Sequence, residues 1–340
     1  MRSIVPTQCG GAKVFRIRHG LCAIVILTFS VLVGAQDPKQ EGRKFDLKLE
    51  KDKKFYQQSV TSVQQVIKVM GQDLTQSQES TFFFKWTPIK QEGDKWELTD
   101  EIEGVKMSID ISGNVIKYDS TTADGGATAG NPGLMDFFKK LIGAKFTVTF
   151  DQKLSKVDKV DGTQAFLDSF GSAGSSDNVL KKILTPDAVK LMCDPSFGIA
   201  PDSPKKPGES WEKKSTMDLG PIGSYAVTYK YTYVGPEKDK DLDKIEVETT
   251  LTYIAPKDNP QAPGMMFRIK DGKLSTDGAP AKGTILYNYK LQRIESGEIK
   301  IKLKGELTVT IAMTDTKVEL QQEQTTKFTT SDSSLMNVKK

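Results

Sequence analysis

Long, strict alternation of apolar and polar residues limits this chain more than any other feature. Ile299, Ile301, Leu303, Leu307, Val309 and Ile311 alternate with Lys300, Lys302, Lys304, Glu306, Thr308 and Thr310. Tyr225, Val227, Tyr229, Tyr231 and Tyr233 do the same against Ala226, Thr228, Lys230 and Thr232, and Ile245, Val247, Leu251 and Tyr253 answer them across the loop PEKDKDLDK. A period of two places every second side chain on one face, so each stretch is a strand with a dry side and a wet side, the pattern of antiparallel sheets. The first half reads alike: Ser59–Val69, Leu74–Trp86, Trp96–Ile111 and Val115–Tyr118 are separated by Gly71-Gln72-Asp73, Glu92-Gly93-Asp94 and Ser112-Gly113-Asn114. Phe45, Leu47 and Leu49 predict one more half-buried strand.

Helical spacing is scarce. Leu134, Phe137, Phe138, Leu141 and Ile142 share a face, and two or three more short helices are expected between Thr163 and Cys193, one starting at Thr185-Pro186-Asp187. Before them, TTADGGATAGNPG (Thr121–Gly133) has the composition of a linker or lid, and the Pro-rich Gly198–Gly208 suits an exposed boundary.

The chain repeats itself. AKFTVTFDQKLSKVD from Ala144 and AKGTILYNYKLQRIE from Ala281 align without a gap, with 11 of 15 positions identical or conservative. Upstream, Asp94-Lys95-Trp96-Glu97-Leu98 parallels Asp243-Lys244-Ile245-Glu246-Val247, and Phe55 and Trp211 are candidates to open the two units. Two matches in the same order favour duplication over chance hairpin chemistry. The fold expected is α+β, mainly antiparallel β: a duplicated curved-sheet unit, half-barrel or sandwich-like, with a few short helices inserted between the copies.

The first 35 residues stand apart. Arg2, Lys13, Arg16 and Arg18 precede an apolar run from Leu21 to Val33 and a small-residue exit, Val33-Gly34-Ala35. That order is a secretory signal peptide, and the run is short for a membrane span of about 20 residues. The expectation is an exported protein, periplasmic or extracellular, with no integral membrane segment after cleavage. The boundaries expected are a signal peptide at 1–35, a disordered leader at 36–43 and an N-terminal β unit at 44–200 containing a helical segment at 134–195. A C-terminal β unit at 205–330 and a disordered tail at 331–340 complete the division.

Cleavage changes the chemistry on offer. Net charge falls from +4 to zero because all four leader charges are basic, which removes the electrostatic case for nucleic acid. The only histidine, His19, and two of the three cysteines, Cys9 and Cys22, leave with it. Cys193 alone cannot form an intrachain disulfide, and without imidazole neither a Ser-His-Asp nor a Cys-His relay can be built.

The sequences IKVMGQDLTQ (Ile67–Gln76) and GPIGSYAVTYKYTY (Gly220–Tyr233), followed by DLDKIEVETTLTY, resemble a domain-of-unknown-function family of exported bacterial β-rich proteins. The resemblance covers about Phe45 to Thr330. It implies export and a β-rich fold and carries no assigned activity.

Other motifs reduce to structure. Asp239, Asp241 and Asp243 alternate like a calcium loop, yet Lys244 and Thr250 stand where such a loop needs Gly and Glu, so a solvated hairpin tip is expected. The Gly-rich stretch lacks the Lys-Ser/Thr of a phosphate cradle. Cys193 ends an apolar helical pattern and reads as a core thiol. No catalytic residue, metal site or cofactor is expected, and the protein reads as non-enzymatic.

What remains is geometric. Many one-sided strands and little covering helix leave an apolar concave face, which must pack on itself or hold a ligand. Trp211, Tyr225, Tyr229, Tyr231 and Tyr233 form the aromatic row on that face and are the candidate ligand-binding residues. The first expectation is a carrier of lipid or another hydrophobe. The alternative is a structural or protein-interaction module with a solid core, acting through an envelope protein.

Overall fold

The computed structural model describes residues 42–122, 132–169, 190, 197–218, 223–238, 240–256, 267–276, 278, 280–311 and 313–337. The leader, most of the Gly-rich stretch, the helix start at Thr185 and Cys193 lie outside the described residues.

The described chain is almost entirely antiparallel sheet. Its strands are β1 (Phe55–Val69), β2 (Gln72–Glu92), β3 (Lys95–Ile111), β4 (Asn114–Asp119), β5 (Lys145–Asp151) and β6 (Lys156–Asp161), then β7 (Ser210–Asp218), β8 (Ser224–Pro236), β9 (Leu242–Ile254), β10 (Phe267–Thr276), β11 (Ala281–Asn288), β12 (Arg293–Ile311) and β13 (Thr314–Ser331). Two short helices, α1 (Pro132–Leu141) and α2 (Thr163–Asp168), accompany the first group. All thirteen strands join one sheet in the order β6-β5-β3-β2-β1-β13-β12-β10-β9-β8-β7, with β4 beside β3 and β11 between β9 and β12. A sheet this large must curl to bury its dry face.

Register settles the repeat. In both copies a four-residue turn joins the last two strands: Phe150 faces Val157 and Asp151 faces Lys156, just as Tyr287 faces Ile294 and Asn288 faces Arg293. A bulge interrupts both ladders at the same step, between Thr149 and Phe150 and between Leu286 and Tyr287. The turns share their chemistry, since Asp151 Oδ1 accepts from Leu154 N at 2.8 Å and Asn288 Oδ1 from Leu291 N at 3.0 Å. Tracing the ladders outward, Leu98 and Ile245 are equivalent, each facing its copy of Val148 or Ile285. Phe55 facing Trp86 then matches Trp211 facing Tyr231. The two units are therefore β1-β2-β3-β5-β6 and β7-β8-β9-β11-β12. The upstream alignment proposed from sequence is out by two residues, a slip that period-two alternation hides because it keeps every side chain on its face.

The expected division at 200/205 separates the repeats but not the sheet. β13, from the C-terminal end, pairs with β1 along 14 residues and with β12 along 16, welding the copies together. Residues 41–340 accordingly form one compact unit.

Dry faces pack in two large clusters, one per copy. The first gathers Trp86, Leu98, Val148 and Phe150, with Phe138 and Leu141 of α1 lying across it. The second gathers Trp211, Tyr231, Tyr233, Ile245 and Ile285. Smaller groups continue up the C-terminal copy around Tyr253 and Leu274, and around Val227 and Leu303.

Three boundaries differ from expectation. Phe45, Leu47 and Leu49 do alternate inward, but the segment joins no ladder; it is a strap with one isolated bridge, between Arg43 and Lys205, and scattered hydrogen bonds such as Lys48 N to the Gln292 carbonyl at 2.8 Å. Phe45 enters the second core and Leu49 the first, so burial without strand pairing produced the alternation. Arg43, placed in the leader, is therefore part of the fold. The stretch from Gly198 is not wholly exposed either, because Ile199 and Ala200 are buried. At the other end the chain stays on the sheet past Ser331: Ser334 Oγ donates to Glu103 at 2.9 Å, and residues 332–337 are not a loose tail.

Candidate functional site

The aromatic row is assembled by β7 and β8, whose pairing sets Trp211 opposite Tyr231. Their rings stack at 5.4 Å and Tyr229 continues the stack at 6.2 Å from Tyr231. Phe45 of the strap fills the space in front, 5.6 Å from Trp211 and 5.2 Å from both Tyr233 and Tyr287. Trp211 Nε1 donates to the Ile199 carbonyl at 2.7 Å. Tyr225 lies apart, against Tyr253 at 5.4 Å, with burial raising its phenol pKa. Three of the five candidate residues, Trp211, Tyr229 and Tyr231, thus form one stack, and Tyr233 is joined to it through Phe45, which it meets edge-on. Tyr225 does not join it.

Beside the stack sits a charged clasp that sequence reasoning missed. Asp243 is fully buried, and Tyr233 O–H donates to its Oδ1 at 2.6 Å. Arg43 Nε lies 2.8 Å from Oδ2 as a charge contact off the hydrogen-bond axis, and its guanidinium stacks 4.4 Å over the Tyr289 ring. Burial first, and the bond to Asp243 second, push the Tyr233 phenol up to about 12. Asp243 is therefore not part of a solvated tip. Asp241 is, paired with Lys290 at 2.8 Å. The two acids diverge and share no cation, and among the described residues no cluster of acids, His or Cys could hold a metal ion. The available signal was parity: Arg43 alternates in step with Phe45, Leu47 and Leu49.

On the opposite, wet face the long strands form a groove of about 500 Å³. Two cross-strand rows floor it. In the first, Asp110, Ser77, Gln64, Glu323 and Lys302 face one another in turn across β3, β2, β1, β13 and β12. In the second, Thr75, Val66, Gln321 and Lys304 follow the same path two residues on. Lys302 Nζ meets Glu323 at 2.7 Å, and Asp110 Oδ1 accepts from Gly113 N at 2.7 Å. Amides, hydroxyls and a matched ion pair offer hydrogen bonds to an extended polar chain. A second cleft, about 120 Å³, lies between strap and turns against Leu49, Phe55, Phe197 and Ile294, too small for an acyl chain.

Among the described residues no helix is long and apolar enough to cross a membrane, which says nothing of crossing by strands. No curated protein matches the chain. Among solved structures, lipovitellin, described for its lipid–protein interactions, aligns with a TM-score of 0.42 at 10% identity, covering 84% of this chain and 25% of that one. The chain thus spans about a quarter of the lipovitellin structure. Pseudomonas aeruginosa OccK5 (OpdH) gives a TM-score of 0.21 at 8% identity, with 81% and 98% covered. DynF from the dynemicin pathway of Micromonospora chersina gives 0.18 at 9%, with 87% and 86% covered. None of the three shares the fold closely enough to bear on what this chain does. A family profile matches residues 93–277, from the turn before β3 to the end of β10 and just over half of the chain, and by that match the protein belongs to DUF6263, a family of unknown function.

Proposed function

We propose that this is an exported, non-enzymatic interaction module of the cell envelope, with a solid core and a partner seated along the polar groove of β3, β2, β1, β13 and β12. The observation that carries the reading is Phe45, whose ring occupies the space in front of Trp211, Tyr233 and Tyr287. With the aromatic row packed as core, the groove is the larger of the two concavities described. A protein strand presenting backbone amides and polar side chains fits its two rows of amide, hydroxyl and charge.

The test is photocrosslinking in the producing cell. A photoreactive residue at Gln64 or Gln321 should yield one discrete protein adduct, and the same probe at Glu212 on β7 should yield none. Absence of an adduct at both groove positions removes the reading. Isolation of the exported chain with Gln36 as its first residue tests the leader.

A second reading rests on a different surface. Away from the packed clusters the concave face is only half-buried where Val63, Ile109 and Ile116 line it, and these side chains suit an apolar ligand. Native mass spectrometry of freshly purified protein separates the two readings. A bare chain mass supports the module, and a retained lipid mass supports the carrier.

A further inference from the structure

Twelve large apolar side chains stand in solvent among the described residues, and nine of them lie near the strand ends at one end of the sheet. The most exposed are Met70, at 77%, and Met313, at 98%. Met70 tips the turn between β1 and β2, and Met313 the turn between β12 and β13. Ile111 ends β3, and Phe267 faces Ile311 at the same end.

Folding does not account for these methionines. Among the described residues six non-glycine positions have left-handed backbone; Asp52, Ser112, Ser155 and Gln292 are polar, and the other two are Met70 (φ 50°) and Met313 (φ 66°). That conformation suits Gly, Asn or Asp and penalises a longer side chain. At both tips the sequence accepts backbone strain and full exposure of an apolar group at once.

The tips are points rather than a patch. Val69 faces Val318, yet β13 runs four residues further to Thr314; Gln76 faces Ile111, yet β2 runs four residues further to Gln72. Each step is about 13 Å along the strands. Separate protrusions give a protein partner no continuous apolar surface to close upon, whereas a fluid apolar phase accepts each one independently. Behind the tips the charges are mixed, with Lys68 between Asp73 and Glu319 and Arg268 in one row with Asp315, so what the tips offer a bilayer is apolar side chain rather than charge.

We infer that this rim docks on a lipid bilayer, with Met70 and Met313 entering the boundary between head groups and acyl chains. The inference is independent of the groove, which lies on β-strand faces that the tips do not use.

Because residues 41–340 form a compact unit, the experiment uses the chain from Gln36 with vesicles of phosphatidylcholine. The wild type should float with the vesicles. Met70→Asn with Met313→Asn should lower that partition about tenfold or more, while the urea midpoint holds or rises because Asn tolerates both turns. Leu154→Asn, an exposed leucine elsewhere, should change neither. A wild type that stays in solution, or a double variant that floats equally well, overturns the inference. So does tip-dependent self-association in place of flotation. A groove adduct would persist under any of these outcomes, so the two readings fail separately.

Discussion

Arg43 and Asp243, 200 positions apart, meet at 2.8 Å, the guanidinium at the edge of the fold and the carboxylate wholly inside it. The contact fastens the strap to the start of β9 and so holds Phe45 in the second core. Removing the cation leaves a buried carboxylate with only the Tyr233 hydroxyl as donor, and an under-satisfied buried group costs about 1–3 kcal/mol. Arg43→Ala should lower the urea-unfolding free energy by that order and open residues 42–54 to proteolysis. In a cycle with Asp243→Asn the double variant should cost less than the sum of the two. Strict additivity would show that the pair does not act as a unit.

Phe45 is the second test of the strap. It makes three ring contacts at 5.2–5.6 Å and is 2% exposed, so Phe45→Ala opens a cavity and should cost about 3–5 kcal/mol. Were the aromatic row a ligand wall, the truncation would be mild and would enlarge the site. A small change in unfolding free energy with new uptake of a hydrophobic dye would favour that wall over the packed core.

The strands were legible because period-two alternation is written directly into Ile299–Ile311 and Tyr225–Tyr233, and the duplicated hairpin because its turn residues repeat. What escaped was long-range. Phe45, Leu47 and Leu49 carry a strand's alternation without a partner strand, since inward and outward facing needs only a surface to lie on. Asp243 looked solvated among Lys240, Asp241 and Lys244, because local charge does not reveal that β9 starts at Leu242 and turns Asp243 inward. Arg43, the residue that makes this burial tolerable, sits in a polar run that reads as leader. The groove residues Gln64, Glu323 and Lys302 are adjacent only through the insertion of β13 between β1 and β12, a pairing that no local pattern announces.

Gly305 marks a point where β12 and β10 approach too closely for any side chain. It pairs with Leu274, its φ is 155°, and a Cβ there would lie 1.8 Å from the Lys273 carbonyl oxygen. The obstacle is backbone, so rotamer changes cannot relieve it. Gly305→Ala should destabilise by about 3 kcal/mol or more, or yield insoluble protein. Gly71→Ala, with nothing within 4 Å of its Cβ, should cost only about 1 kcal/mol for its positive φ. Thermal unfolding of the two variants side by side checks the contrast.

Asp100 gives the fold a pH dependence of its own. It faces Trp86 across the ladder, both side chains are buried, and neither Asp100 Oδ1 nor Trp86 Nε1 has a hydrogen-bond partner. Burial raises the carboxyl pKa to about 8, so the folded protein keeps this proton at neutral pH. The unfolded chain releases it near the ordinary aspartate value of about 3.9. Between those values the unfolded state binds fewer protons than the folded one, so stability falls as pH rises from about 4 to 8 and levels off above. Asp100→Asn removes the titration and should be the more stable form at pH 8, by a few kcal/mol, while the two forms converge near pH 4. Urea unfolding of both at pH 5 and pH 8 reads the slope. Parallel behaviour of wild type and variant would mean that Asp100 is ionised in the folded state and that a donor reaches it.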